Sequence, residues 1–349
     1  MYSNLIIRGA VLEQLKQPLA LREVLFKGPL LYGQVLVQIH YSGICASQVH
    51  EIDGIKGPDS FLPHLLGHEG SGTVLQIGDG VINVKPNDHV VMHWRPGKGL
   101  QAINPTYECD GHRINAGSVT TFNSHAIVSE NRLTTIPSNF DLSLAPLLGC
   151  AVTTAFGAIG NDAKVKVGES VIIFGVGGVG LSAVIAARLS TAHPIIAVDI
   201  DEAKLEVARK LGATHIVNAN SDDTEKRLRN ILGDQGSDVV IETTGSKLVI
   251  ELAYKISSSH GRVILVGVPD PNDPISLATL PLHFGKKLIG SHGGSSEPHI
   301  DIPRLISLIE AGKLELSTIP RHIRPLSEIN HAIADLRAGS TGRQLIKMD

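Results

Sequence analysis

Two cysteines and one histidine carry the reactive chemistry that stands out in this chain. Cys45 lies in YSGICASQVHE, together with Ser47 and His50. His68 lies in the glycine-rich run Gly67-His68-Glu69-Gly70-Ser71-Gly72, and Cys150 closes LLGC. Two thiolates, one imidazole and one water would make an open tetrahedral zinc site, the form that leaves a position for substrate. The spacing is not local, so sequence distance alone does not assemble these groups. Taken singly, each cysteine is more often a small buried hydrophobe. Ser47 and His50 are three apart and share one side of a helical turn; they also read as a serine near a helix start and a surface histidine.

A second constellation is Gly175-Val176-Gly177-Gly178-Val179-Gly180, a GxGxxG turn. Alone the pattern is weak, but here it follows the apolar run VIIF, opens a helical pattern, and is answered by Asp199 about 20 residues past the last glycine, at the end of the next strand. The glycines give a tight turn, a close approach of backbone to a pyrophosphate, and close helix–strand packing, while the helix N-terminus favours phosphate charge. A carboxylate at Asp199 accepts from ribose hydroxyls and repels a 2′-phosphate, so NAD is predicted over NADP. Lys204 lies one turn further on, where it can reach the ribose or belong to a solvated helix face.

These residues need two kinds of frame. The chain has 349 residues, 42% of them hydrophobic, which predicts two globular domains. QVLVQIH, SGTVLQIG, DHVVMH and HAIVSE are short strand-like runs, so the first part reads as mostly β. From about Ala151, apolar strands alternate with helical patterns: SVIIFG, IIAVD, HIVNA, DVVIETTG and RVILVG, with EAKLEVARKLG, TEKRLRNILG and KLVIELAYKIS between them. That alternation predicts a doubly wound parallel sheet. IDIPRLISLIEAG and SEINHAIADLRAG read as later amphipathic helices, and QLIKM as a strand returning to the first domain. The α/β architecture expected is a mostly-β catalytic domain at 1–151 and 291–349, with a Rossmann domain at 152–290.

The formal net charge of −3, without runs of one sign, favours neither nucleic acid nor an anionic membrane as partner. Three cysteines are too few for a disulfide framework, which points to a reducing, cytoplasmic setting. The N-terminus carries no signal-peptide pattern. Val171 to Ala187 is uncharged and nearly of membrane-spanning length, but its central glycines mark it as a buried strand, a turn and a buried helix.

Taken in order, the GxC…H segment, the GHExxGxV segment, the late Gly-Cys, the GxGxxG turn and the acidic strand end resemble the zinc-containing alcohol dehydrogenases of the medium-chain dehydrogenase/reductase superfamily. The resemblance spans essentially the whole chain and continues in register through Gly72, Gly78 and Val81. It implies a GroES-like first domain, a catalytic zinc on Cys45, His68 and Cys150, and Glu69 as a carboxylate able to approach the metal. It also implies Ser47 and His50 as a proton relay, Thr154 beneath the nicotinamide, Val268 and Ser291 meeting the carboxamide through their backbone, and Arg343 on the pyrophosphate. An alcohol or carbonyl substrate and a homodimer or homotetramer follow by the same analogy.

Two departures stand out. The family's aspartate that hydrogen-bonds the zinc-bound histidine is Gln48 here, which can keep a hydrogen bond but not the charge. The segment matching the family's four-cysteine structural lobe, His93 to Gly117, holds only Cys109, with His112 at C-x-x-H spacing and His93 near in sequence. A metal-free loop is expected there. Two alternatives remain open at the level of sequence: a zinc-free NADPH-dependent quinone or enone reductase on the same fold, and a catalytically silent NAD-binding protein.

Overall fold

The computed structural model describes residues 4–55 and 57–348, which divide into two compact units: Met1–Cys150 with Glu297–Asp349, and Ala151–Ser296. The second crossing lies at Ser296, beyond the expected boundary at 290. The reason is the turn Gly293–Ser295, whose Gly294 carbonyl packs on Gly157 of the helix Ala151–Gly157. That contact keeps the turn with the second unit.

The first unit is built on one long strand, Gln34–Ile44. It pairs antiparallel with Gly70–Ile77, His125–Ser129 and the late strand Arg343–Lys347, so the chain's end returns to the first unit. One face of QVLVQIH is apolar and buried, while the other carries Leu36 among polar residues, with Gln38 exposed. Val35, Val37 and Ile39 enter one core, while Leu36 points into another with Ile7, Val24 and Phe26. That second core fills a closed barrel of Asn4–Leu12, Ala20–Lys27, Thr106–Cys109, His112–Asn115 and His64–Leu65.

Two of those barrel strands come from the segment expected to be a loop. Thr106–Cys109 and His112–Asn115 form an antiparallel hairpin with Cys109 opposite His112. Asp110 and Gly111 both have positive φ, 49° and 77°, as a two-residue hairpin turn requires. The cause was present in the sequence as Asp-Gly. The approach to the hairpin is tied down by Glu130, a fully buried carboxylate that accepts from the backbone of Ile82, Asn83 and Leu100.

The second unit is a six-stranded parallel sheet in the order His215–Asn218, Ile195–Asp199, Val171–Phe174, Ser237–Glu242, Ser257–Leu265, Lys287–Gly290. Strand succession runs outward both ways from Val171–Phe174, so the switch point lies between that strand and Ser237–Glu242. Ile172, Phe174, Ile196, Val198, Val240 and Val263 share one core with Leu228 and Ala253 of the covering helices. The near-membrane-length run resolves into strand Val171–Phe174 and helix Gly178–Leu189. Among the described residues no helix is long and apolar enough to cross a membrane.

Candidate metal and dinucleotide sites

Cys45 ends the long strand's turn and sits at the N-cap of helix Ala46–Ile52. His68 reaches it because its segment is tied to that strand: the Glu69 carbonyl accepts from the Gly43 N–H at 3.0 Å and the Ser42 hydroxyl at 3.1 Å. Gly67, at φ +93°, runs so close to Thr121 and Phe122 that any side chain would strike their backbone nitrogens. Cys150 arrives from the far end of the unit after helix Ala145–Leu148, where Gly149 packs on Glu69.

The ligand atoms of Cys45, His68 and Cys150 all lie within 4.8 Å of one another. His68 Nε2 is buried and has no hydrogen-bond partner in the protein. The Cys45 thiol is held well below the usual thiol range, first by a hydrogen bond from Cys150 and then by His68 and Arg343, against the opposing effect of burial. Two sulfurs, one of them acidified, and an orphaned imidazole nitrogen are a donor set that fits zinc.

Beside the trio, Glu69 is fully buried and its carboxylate contacts the guanidinium of Arg343, itself 6% exposed. Arg343 thus sits in the first unit as the partner of Glu69, not free at the surface. Gln48 is also buried. Its Oε1 accepts from the Cys45 N–H at 2.8 Å, and its Nε2 has no partner, so the glutamine caps the helix start and makes no bond to His68. Ser47 and His50 are both half-buried on this same helix, one turn apart.

His93, considered for a replacement lobe site, has both ring nitrogens committed. Nδ1 meets the Arg95 carbonyl at 2.7 Å and Nε2 the Thr134 hydroxyl at 2.9 Å. Burial pushes its pKa down to about 4. Cys109 and His112 face each other across the hairpin, remote in role from His93.

In the second unit, Gly175 has φ +80°, and Gly180 comes so near it that a Cβ on Gly180 would lie 1.9 Å from the Gly175 carbonyl oxygen. Gly178 and Val179 begin the helix that Gly177 caps. Asp199 does more than end its strand. Its Oδ2 accepts from the Val176 N–H at 2.7 Å and its Oδ1 from Asp201 at 3.0 Å, which fixes the carboxylate against the glycine turn. Lys204 is half-buried on helix Glu202–Leu211.

Residues 242–245, after the strand across the switch point, were not singled out in the sequence. The Thr243 hydroxyl donates to the carbonyls of Phe174 and Gly175, and buried Glu242 accepts from Thr244 and Gly245. Gly245 packs on the Val268 carbonyl, which brings exposed Val268 beside this loop. The rule that ligands bind beyond strand ends at a switch point would have flagged it. Ser291 donates to Asp162 at 2.6 Å and accepts from Gly294, and Thr154 is buried on helix Ala151–Gly157.

Comparisons with known proteins find two family models on the chain. Residues 32–138 match the family model of the alcohol dehydrogenase GroES-like domain, and residues 178–311 that of the zinc-binding dehydrogenase. An S-(hydroxymethyl)glutathione dehydrogenase of Haemophilus influenzae is 32% identical over 99% of this chain and 98% of its own. Among solved structures, benzyl alcohol dehydrogenase from Acinetobacter calcoaceticus superposes with a TM-score of 0.89 at 29% identity, covering 99% of this chain and all of its own. An alcohol dehydrogenase zinc-binding domain protein from Burkholderia ambifaria gives 0.91 at 28% identity over 99% of this chain and 100% of its own. The chain belongs to the zinc-type alcohol dehydrogenases of the medium-chain dehydrogenase/reductase superfamily, with a GroES-like unit and a Rossmann unit.

Proposed function

We propose that this protein catalyses the reversible NAD-dependent oxidation of an alcohol to an aldehyde or ketone, with one catalytic zinc held by Cys45, His68 and Cys150. The observation that carries the reading is the meeting of those three donors, from distant parts of the sequence, within 4.8 Å around an unpartnered His68 Nε2. Zinc at these donors supplies Lewis acidity toward the substrate oxygen.

The chain's own groups divide the remaining work. The turn Gly175–Gly180 offers backbone and a helix N-terminus to the NAD pyrophosphate. Asp199, held by Val176 and Asp201, offers its remaining lone pairs to the ribose hydroxyls and disfavours a 2′-phosphate. The alcohol proton would leave by a relay in which Ser47 takes it while giving its own to a ribose hydroxyl of bound NAD, and His50, one turn along, passes a proton on to solvent. Thr154, Val268 and Ser291 take the nicotinamide end, with Lys204 toward the ribose. Glu69 and Arg343 stand behind the metal donors as a pair. The Lys287–Gly290 edge of the parallel sheet, flanked by exposed Leu280 and Phe284, supports a homodimer or homotetramer. The three free thiols fit a reducing, cytoplasmic setting.

The test is an alcohol and carbonyl screen with NAD and NADP on zinc-loaded protein, with metal content measured alongside. Turnover with NAD that disappears, together with a bound zinc, in Cys45→Ser supports the reading. Full turnover in zinc-free protein, or a clear preference for NADP, overturns it. His50→Gln should slow turnover most below neutral pH; an unchanged pH–rate profile removes His50 from the relay.

A further inference from the structure

The first unit contains another convergence of metal-ligating groups. Glu51 comes from the helix Ala46–Ile52, Asp59 from the segment that follows, and His64 from the strand His64–Leu65. Their ligand atoms lie within 4.8 Å of one another. His64 Nε2 stands 2.9 Å from an Asp59 oxygen and 4.0 Å from a Glu51 oxygen, and the His64 and Asp59 side chains are only 8% and 14% exposed. None of the three is a member of the cysteine-containing trio.

We propose that Glu51, Asp59 and His64 form a second divalent-cation site, separate from the catalytic one. The ring of His64 is oriented for it: Nδ1 meets the Leu65 carbonyl at 3.0 Å, which directs Nε2 at the two carboxylates. An imidazole held by a backbone carbonyl on one nitrogen presents the other as a metal ligand.

Gln48 gives an independent pointer. The three residues line a cavity of about 290 Å³, and Gln48 lines it too. Gln48 is 2% exposed, its Oε1 is spent on Cys45, and its Nε2 has no partner in the protein. A buried, unpartnered amide donor on a residue that lines a cavity calls for an oxygen acceptor. An oxygen ligand completing a three-residue cation site is such an acceptor, and an open site with three protein ligands leaves room for one. One imidazole and two carboxylates, without sulfur, suit zinc, manganese or cobalt. The same cavity is lined by His68, so the second cation would sit behind a catalytic zinc ligand. This proposal does not depend on the dehydrogenase reading.

The experiment is metal counting on the full-length chain after loading with Zn²⁺ and dialysis, paired with Co²⁺ titration. Cobalt at the cysteine trio gives a thiolate-to-metal charge-transfer absorption; cobalt at an imidazole–carboxylate site does not. Wild-type protein should hold two ions per chain, the second without added charge-transfer intensity. Glu51→Gln and His64→Gln should each fall to one ion and keep the charge-transfer band, with unchanged far-UV circular dichroism. Cys45→Ser should lose the band and still hold one ion, which separates failure of the catalytic site from failure of this one. A single ion in wild type that Glu51→Gln leaves in place overturns the proposal. So does a second ion that survives in both Glu51→Gln and Asp59→Asn; the second of these stands in if His64→Gln does not fold.

Discussion

The guanidinium of Arg343, on the strand that ends the chain, closes on the buried carboxylate of Glu69, next in sequence to the imidazole ligand His68. Both side chains are out of water, so each offsets part of the other's lost hydration, and the Cys45 thiolate offsets more of it on Arg343. Truncating one leaves a buried charge alone. Arg343→Met should therefore lower stability by about 3–5 kcal/mol. Adding Glu69→Gln should recover part of that loss, so the double variant is more stable than the sum of the singles implies. Urea unfolding of the four proteins measures this. Strictly additive losses would show that the pair does not interact. The roles that the family resemblance implies for each, Glu69 toward the metal and Arg343 toward pyrophosphate, both call on groups this pair engages.

The cysteines differ in acidity for identifiable reasons. The hydrogen bond from Cys150, with His68 and Arg343 beyond it, lowers the Cys45 thiol, whereas burial and the neighbouring Asp110 raise Cys109. A thiol with a lowered pKa is already thiolate at lower pH, and the thiolate is what alkylates. In metal-stripped protein, iodoacetamide modification of Cys45 should have a midpoint below the free-cysteine value of about 8.5, and that of Cys109 one above it. Zinc loading should protect Cys45 and leave Cys109 as before. Peptide mass spectrometry across a pH series reads both; equal midpoints would refute the assignment of causes.

How far the sequence carries can be judged from particular residues. The parallel sheet was legible because its central strands are apolar and buried and alternate with helices of the 3.6-residue period, as in IIAVD and EAKLEVARKLG. The glycine turn and Asp199 were legible because their chemistry fixes their spacing. The hairpin at Thr106–Asn115 was marked only by Asp-Gly, because its two strands are four residues each and mostly polar, too short for a period-2 apolar pattern. The Glu69–Arg343 pair was not legible at all. The two residues lie 274 positions apart and meet only because the last strand pairs with Gln34–Ile44. The hydrogen bond to His68 that Gln48 could have kept is not made; its amide oxygen takes the Cys45 N–H instead, a matter of local helix geometry that the sequence does not show.

His93 supplies a pH prediction. Its folded pKa, lowered by burial to about 4, lies below the ordinary histidine value near 6.5. The unfolded chain takes up a proton at higher pH than the folded chain does. The neutral ring's contribution is thus fully present above about pH 6.5 and is lost as pH falls toward 4, to a total of about 3 kcal/mol. Burial also lowers His40 and His125, and they act in the same direction. The urea midpoint should fall steadily over this window, and His93→Gln, less stable at pH 7, should show a shallower fall. A midpoint flat from pH 7 to 5 would contradict a neutral buried His93.

Two glycines of the dinucleotide turn should respond differently to the same methyl group. A Cβ on Gly180 would lie 1.9 Å from the Gly175 carbonyl, deep in the packing of strand against helix, so Gly180→Ala must displace backbone. It should destabilise the Rossmann unit by about 1–3 kcal/mol and weaken NAD binding as a consequence. A Cβ on Gly177 meets nothing within 4 Å, and its φ of −72° suits any residue. Gly177→Ala should therefore leave thermal stability within about 0.5 kcal/mol of wild type. If Gly177 is where backbone approaches the pyrophosphate, the added methyl takes the space the phosphate needs, and NAD affinity should fall about tenfold or more. Calorimetric NAD titration beside thermal unfolding separates the two effects. A Gly177→Ala protein that binds NAD as wild type does would remove that glycine from the phosphate contact and move the site elsewhere on the turn.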